Sequence, residues 1–249
     1  MNENKIITIT QTTAKRLISD IKDITKNSLA KEGIYYKHDE KNMLIGYALI
    51  IGSKDTPYAF GNFLFRFNFP HDYPHAPPKV TYLTNDGITR FHPNLYKNGK
   101  VCLSILNTWK GEQWTGSQTI RSILLSLASI LDDCPLINEP GIEKNHPDVK
   151  PYSKIIDYKC KEVAIYKILT GDLVLHESSL FFDEMKKNFL KNFNEIIDLF
   201  NSKKEKEDKE DKEDNEDNKI ISTKIYNLYC KVNRDKLEKQ IVSLFKKLK

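Results

Sequence analysis

Apolar residues in the first part of the chain recur at helical spacing. Between positions 10 and 29 they include Leu17, Ile21 and Ile24, and this spacing predicts an amphipathic helix because such residues share one helix face. Segments rich in β-branched and aromatic residues then predict four strands. These strands lie near 33–38, 43–52, 61–69 and 79–83.

Two longer apolar patterns downstream predict helices at about 118–132 and 148–170. Ser117 is the candidate N-cap of the first, and Gly171 is expected to end the second. One N-terminal helix, a four-stranded antiparallel meander and then helices make an α+β arrangement.

The rest of the chain predicts a helical C-terminal extension in three parts. Residues 172–201 have the pattern of an additional amphipathic helix. The run 202–219 holds nine acidic residues and six lysines, which favours a solvated linker over a charge-laced helix. Residues 220–249 show helical spacing again and predict a C-terminal amphipathic helix. We therefore expect residues 1–171 to form the main domain and to fold without 202–249.

Composition narrows the possible functions of the chain. The net charge is +5 over 249 residues, with no basic patch interleaved with aromatics, so no nucleic-acid partner is expected. No apolar run approaches the roughly 20 residues that cross a bilayer, and the first residues lack a secretory signal pattern. The scattered cysteines form no C-x-x-C pair, which predicts neither a metal site nor a disulfide framework and favours a reducing compartment. They are Cys102, Cys134, Cys160 and Cys230.

One loop carries the candidate chemistry. Positions 91–106 read FHPNLYKNGKVCLSIL, which sets Asn94 eight residues before Cys102 with an Asn-Gly turn between them. A thiolate held on such a loop can attack and later leave, so we expect Cys102 to be exposed and nucleophilic. The alternative is a buried structural cysteine, since a free cysteine packs as a small hydrophobe. The other three cysteines lack this context and are predicted to be packing residues.

The His-Pro-Asn turn before a single cysteine resembles the reactive site of ubiquitin-conjugating (E2) enzymes. Three more motifs follow that family's order and spacing, over roughly residues 10–171, and the larger extended members share the CLSIL-x-TW and NEPG variants. The motifs are FPHDYPHAPPKVTYLT (69–84), WTGSQTIRSILLSL (114–127) and NEPG (138–141).

The resemblance implies a UBC-like fold and an acyltransferase of an ATP-dependent conjugation pathway. An activating enzyme (E1) would pass ubiquitin, or a ubiquitin-like modifier, to Cys102 as a thioester. The modifier would then go to a lysine of a protein substrate or to a ligase (E3). A non-catalytic adaptor is the rival from another class, and the presence of Cys102 argues against it. No cofactor and no membrane partner are implied, and the expected location is the cytoplasm, with the nucleus as a second.

Family motifs also suggest roles for residues near the cysteine. The Asn94 amide either donates to the oxyanion of the tetrahedral intermediate or braces the loop through backbone bonds. Glu139 matches an acid that similar enzymes carry on the loop after the second helix. Many members also have an Asp two residues after the cysteine, but this position is Ser104 here, which leaves Glu139 as the candidate that orients the incoming lysine. The alternative for Glu139 is a solvated loop residue. His92 and Pro93 are expected to organise the loop, and His92 is not expected to act as a base.

Candidate partner-binding residues come from the same resemblance. Lys15 and Arg16 match a basic pair used against acidic E1 surfaces, although a solvated helix face explains them equally well. His75, Thr115 and Ser117 stand where similar enzymes carry other residues that grip RING-type ligases. These differences suggest an unusual set of ligases or direct substrate recognition.

Overall fold

The computed structural model describes residues 9–200 and 219–249. Helix α1 spans Gln11–Lys26, and its N-cap is Thr10, whose side chain accepts the Thr13 N–H at 3.0 Å. A four-stranded antiparallel meander follows, with neighbours in chain order. Its strands are β1 (Ile34–His38), β2 (Ile45–Ile51), β3 (Asn62–Asn68) and β4 (Lys79–Tyr82). The predicted α+β order of helix, meander and helices is confirmed.

Helix α2 spans Ile120–Ser129 and begins later than its pattern suggested. Its N-cap is Thr119, not Ser117: the Thr119 hydroxyl accepts the Ser122 N–H while the Ser122 hydroxyl accepts the Thr119 N–H. This reciprocal pair is a capping box, which satisfies two otherwise orphan donors.

Helix α3 spans Val149–Lys159 and continues through a π-helical segment, Cys160–Lys167, into a last turn, Ile168–Thr170. Gly171 ends it as expected, with φ of 83°, a left-handed conformation that glycine adopts without steric cost.

Residues 172–201, expected to form one helix, are divided. A 3₁₀ segment at His176–Phe181 leads into α4 (Phe182–Lys191), and a turn at Asn192 separates α4 from the helical residues 193–200, here α5. The expected linker at 202–219 lies outside the described residues except for Lys219.

The C-terminal segment corrects the prediction of one helix over 220–249. Strands β5 (Lys219–Thr223) and β6 (Leu228–Val232) form an antiparallel hairpin, and α6 (Arg234–Leu248) follows. Buried residues at Leu228, Cys230 and Val232 alternate with exposed Tyr229 and Lys231, the period of a half-buried strand.

The hairpin and α6 share the hydrophobic core of the main domain. Strand β5 packs against α3, and α6 packs against both the π-helical segment and α4. The Phe245 ring of α6 stacks on Phe193 of α5 at 3.9 Å between centroids. Along the described ranges, no helix combines the length and apolarity that a bilayer crossing needs.

Candidate active site

The reactive loop is held by bonds between residues close in sequence. The Cys102 N–H donates to the Asn94 carbonyl at 2.9 Å, and the Asn94 side-chain Nδ2 donates back to the Cys102 carbonyl at 2.6 Å. Bridges of β type join Leu95 to His92 and to Val101. The sequence Asn-Gly at 98–99 makes the turn, with Gly99 at φ of 83°. Asn94 therefore fixes both backbone groups of the candidate nucleophile.

His92 is fully buried and serves as an acceptor within this loop. Its Nδ1 accepts the Asn94 N–H at 3.0 Å, which places the ring proton on Nε2. Burial, and secondarily the charge of Arg90, lowers the pKa of His92 to about 3, so the ring stays neutral at physiological pH. A neutral ring whose basic nitrogen is already occupied suits loop organisation rather than proton abstraction. Pro93 lies between His92 and Asn94 at this turn.

Cys102 is only 1% exposed, which corrects the expectation of an exposed thiol. The loop after it folds back over its neighbours: the Thr108 hydroxyl accepts the Leu103 N–H at 2.9 Å and contacts the carbonyls of Val101 (2.9 Å) and Leu103 (3.1 Å). Trp114, 8% exposed, anchors the far end of this loop by donating from Nε1 to the Pro74 carbonyl at 2.7 Å. The segment beyond the cysteine thus folds back onto the backbone on both sides of Cys102.

Burial does not distinguish Cys102 from Cys160 and Cys230, and none of the four cysteines forms a disulfide. Cys160 and Cys230 are 0% and 2% exposed, whereas Cys134 is partly exposed. Burial raises the pKa of the Cys230 thiol to about 11. What sets Cys102 apart is the loop that holds it. Among the described residues, no group of three or more His, Cys, Asp or Glu side chains has the arrangement of a metal site.

Glu139 lies on a loop that other polar side chains hold in shape. The Asp132 carboxylate accepts from the Cys134 N–H at 3.1 Å and from Asn138 Nδ2 at 2.8 Å, and burial raises its pKa. Glu139 is partly exposed, and one of its carboxylate oxygens accepts a hydrogen bond from the hydroxyl of Tyr226 in the C-terminal hairpin.

Arg90 connects this hairpin to the reactive loop. Its guanidinium donates to the carbonyls of His92 (3.2 Å) and Pro93 (2.5 Å), and it stacks on the rings of Tyr96 (3.4 Å) and Tyr226 (4.8 Å). The sequence did not single out Arg90, Thr108 or Tyr226. Thr108 lies within the CLSIL-x-TW motif and could have been noticed, but no local signal pairs Tyr226 with Glu139.

The expected basic pair on α1 is divided between two environments. Lys15 is exposed. Arg16 instead pairs with Asp20 at 2.9 Å and donates to the carbonyls of Gly116 (2.6 Å) and Gln118. Arg16 therefore positions the loop before α2 rather than presenting a free charge.

Candidate ligase-contacting residues come together on the surface. His75, Thr115 and Ser117 are all exposed, and the hydroxyls of Thr115 and Ser117 lie 2.8 Å apart. The bond from Trp114 to the Pro74 carbonyl ties the two loops that carry them.

Comparison with known proteins gives a family match. The family model "Ubiquitin-conjugating enzyme" matches residues 16–153. Ubiquitin-conjugating enzyme E2 Z of Danio rerio is 41% identical over 182 residues, which cover 72% of this chain and 54% of that protein. The Homo sapiens protein of the same name is 41% identical over 182 residues, with 72% and 50% coverage. Among solved structures, human ubiquitin-conjugating enzyme E2 G1 has 33% identity and a TM-score of 0.44, covering 50% of this chain and 98% of that chain.

The chain spans about half the length of the curated relatives it matches. The matched residues, 16–153, include the whole reactive loop, the sheet and α2. The His-Pro-Asn turn, the cysteine fixed by Asn94 and the α+β architecture all lie within this stretch, and the chain belongs to the ubiquitin-conjugating enzyme family.

Proposed function

We propose that Cys102 accepts the C-terminal carboxyl group of ubiquitin, or of a ubiquitin-like modifier, from an E1 and passes it to a lysine or to a ligase cysteine. The observation that carries this proposal is the reciprocal pair of hydrogen bonds between Asn94 and Cys102, in a family named for ubiquitin conjugation. A cysteine fixed through its backbone keeps its side chain free for bond formation.

The proposed transfer has two steps of the same type. In the first, the Cys102 sulfur bonds to the carbonyl carbon of the E1 thioester, and the E1 cysteine leaves as a thiolate. In the second, a lysine amine attacks the new thioester, the bond from carbon to the Cys102 sulfur breaks, and the amine loses one proton. Both steps pass through a tetrahedral oxyanion, which a nearby N–H donor stabilises.

Asn94 has two proposed roles in these steps. Its Nδ2 braces the loop through the Cys102 carbonyl, and the same amide would serve as the oxyanion donor if its second hydrogen or a small rotation reaches the developing charge. For Asn94→Ala we expect charging to be largely kept and discharge to lysine to be slowed. Normal discharge would leave Asn94 with the bracing role alone.

Glu139 is proposed to orient the incoming lysine and to accept its proton. In support, its carboxylate is partly exposed and its loop is fixed by Asp132 and Asn138. Because Cys102 is 1% exposed, charging also requires a local movement that opens the sulfur to the E1 thioester.

The proposed partners are the modifier, its E1, a ligase and a protein substrate, without nucleic acid or membrane. The exposed side chains of Lys15, His75, Thr115 and Ser117 are the candidate contacts for E1 and ligase. Four cysteines without a disulfide fit a reducing compartment, so we propose the cytoplasm as the location, with the nucleus as a second.

A charging assay tests the function directly. Incubation with E1, ATP and ubiquitin, or another modifier with its own E1, should give an adduct that thiol reductant removes. With Cys102→Ser we expect a reductant-resistant oxyester, whereas Cys134→Ser, the control, should charge like the wild type. Failure of the wild type to form an adduct with any modifier would contradict the proposal and favour an adaptor role.

A further inference from the structure

The turn of the C-terminal hairpin contains an unusual backbone conformation. Tyr226 and Asn227, between β5 and β6, have φ of 63° and 48°. A bulky side chain seldom adopts positive φ, and such a conformation persists only where its surroundings hold it in place. The contacts of Tyr226 show what holds it.

The Tyr226 hydroxyl donates its hydrogen bond to Oε2 of Glu139, 87 residues earlier in the chain. Burial, and secondarily the bond to Glu139, raises the pKa of Tyr226 well above its usual value, so the hydroxyl remains a donor at physiological pH. Next to it, the Ile225 N–H donates to Asp148 Oδ2 at 2.8 Å. The turn is therefore fixed to the main domain on two sides.

The Tyr226 ring also reaches the reactive loop. It lies 4.8 Å from the Arg90 guanidinium, which in turn donates to the carbonyls of His92 and Pro93. A cation above an aromatic face is attracted by the ring quadrupole. A continuous series of contacts therefore runs from Glu139 through Tyr226 and Arg90 to the turn that precedes Asn94 and Cys102.

This arrangement leaves part of Glu139 available. A carboxylate accepts several hydrogen bonds, and Tyr226 occupies one oxygen only. Within the described ranges of the chain, no hydrogen bond to Oε1 of Glu139 accompanies it, and the residue is partly exposed. A carboxylate fixed at one oxygen and open at the other can orient an amine without searching among rotamers.

We propose that Tyr226 is a positioning residue for lysine discharge: its hydroxyl holds the Glu139 carboxylate in the orientation that receives the incoming amine. This rests on the proposed function. It assigns the C-terminal extension a direct part in the second step of transfer and none in the first, because E1 charging involves no amine.

The test compares Tyr226→Phe with Tyr229→Phe. The first change removes only the hydroxyl that reaches Glu139, and the second removes a hydroxyl from a 63% exposed tyrosine on the same hairpin. Full-length protein is charged, E1 is quenched, and single-turnover discharge is followed over a series of free lysine concentrations. Loss of one hydrogen bond to a charged group predicts a roughly ten- to hundredfold slower maximal discharge for Tyr226→Phe. For Tyr226→Phe, the charging rate and the lysine KM should be unchanged. For Tyr229→Phe, the charging and discharge rates should both equal those of the wild type.

A double-mutant cycle with Glu139→Gln separates positioning from a structural effect. If Tyr226 acts through Glu139, Tyr226→Phe adds no further slowing in the Glu139→Gln background. Two results would overturn the inference while leaving the proposed function intact. One is a Tyr226→Phe discharge rate equal to that of the wild type. The other is a double variant whose slowing is the product of the slowing in Tyr226→Phe and in Glu139→Gln. A wild type that never charges would overturn both the inference and the proposed function.

Discussion

The reactive loop and the C-terminal hairpin meet through Arg90, yet they are built in opposite ways. In the loop the defining bonds join residues two to eight positions apart, such as His92 to Asn94 and Asn94 to Cys102. In the hairpin they join residues 77 to 87 positions apart, such as Ile225 to Asp148 and Tyr226 to Glu139. The first region is encoded by a short motif, and the second by how distant segments pack.

The hydrophobic core extends beyond the stretch that matches the family. The family match stops at residue 153, but the core does not, because side chains of the hairpin and α6 are buried in the same cluster as the sheet and α2. The boundary expected at residue 171 therefore falls between segments that share one hydrophobic core.

Truncation should give the largest effect. A chain ended after residue 200 loses seven buried apolar residues of the hairpin and α6. Each such side chain contributes about 1.5–3 kcal/mol, and a domain's whole free energy of unfolding is about 5–15 kcal/mol. We expect thermal melting of the truncated chain to lose its cooperative transition. Full-length Ile220→Ala, changed at a 53% exposed position of β5, should melt like the wild type.

A stable truncated chain would show that the main domain folds without the hairpin and α6. A chain of 200 residues that melts within a few degrees of the full-length protein and still charges would restore the expected boundary. It would also reduce the hairpin to an appended module.

A buried ion cluster between α3 and α6 allows the link between the main domain and the C-terminal segment to be tested with a single substitution. Asp157 accepts from Lys161, 1% exposed, at 2.5 Å and lies 3.8 Å from Arg234. Asp157→Ala leaves buried cations without this partner, and we expect the free energy of unfolding in urea to fall by about 3–5 kcal/mol. Glu195→Ala removes an exposed salt bridge to Lys54 and should cost less than about 1 kcal/mol. Equal losses would show that the cluster does not join the extension to the domain.

A smaller effect is expected from His92, in the locally built region. Its folded-state pKa of about 3 lies below the unfolded value near 6.5. Between these values the unfolded state binds one more proton than the folded state, so stability rises with pH across this window. From pH 7 to pH 5 this linkage costs about 2 kcal/mol.

The matched variant is His92→Asn, which keeps a side-chain acceptor for the Asn94 N–H but does not titrate. Urea unfolding at pH 5 and pH 7 should show a smaller pH dependence for the variant, by about 2 kcal/mol. Identical pH dependence in the two proteins would mean that His92 is not held neutral in the fold.

Sequence patterns predicted the first 171 residues well because their determinants are local. Helix and strand periods differ clearly in α1 and the meander, and the His-Pro-Asn turn needs only neighbouring residues to form. The misplaced N-cap at Ser117 arose because both Ser117 and Thr119 favour that position, and only Thr119 has a reciprocal partner in Ser122.

The C-terminal error has a specific physical cause. Apolar residues at Leu228 and Val232 are four positions apart, a spacing that satisfies both the helical period of 3.6 and the strand period of 2. Cys230 between them decides in favour of the strand, and the helical pattern did not include it. The burial of Cys102 was likewise missed, because the Asn-Gly turn signal at 98–99 predicts a surface loop but not how neighbouring side chains pack around the thiol.

The measurement that tests the central claim most directly is the mass-spectrometric location of the modifier on the charged full-length chain. We predict one modifier per chain, attached through a reductant-sensitive bond to the peptide that contains Cys102. The partly exposed Cys134 serves as the internal comparison and should remain unmodified. Attachment to Cys134, or only to lysine through a reductant-resistant bond, would contradict the account.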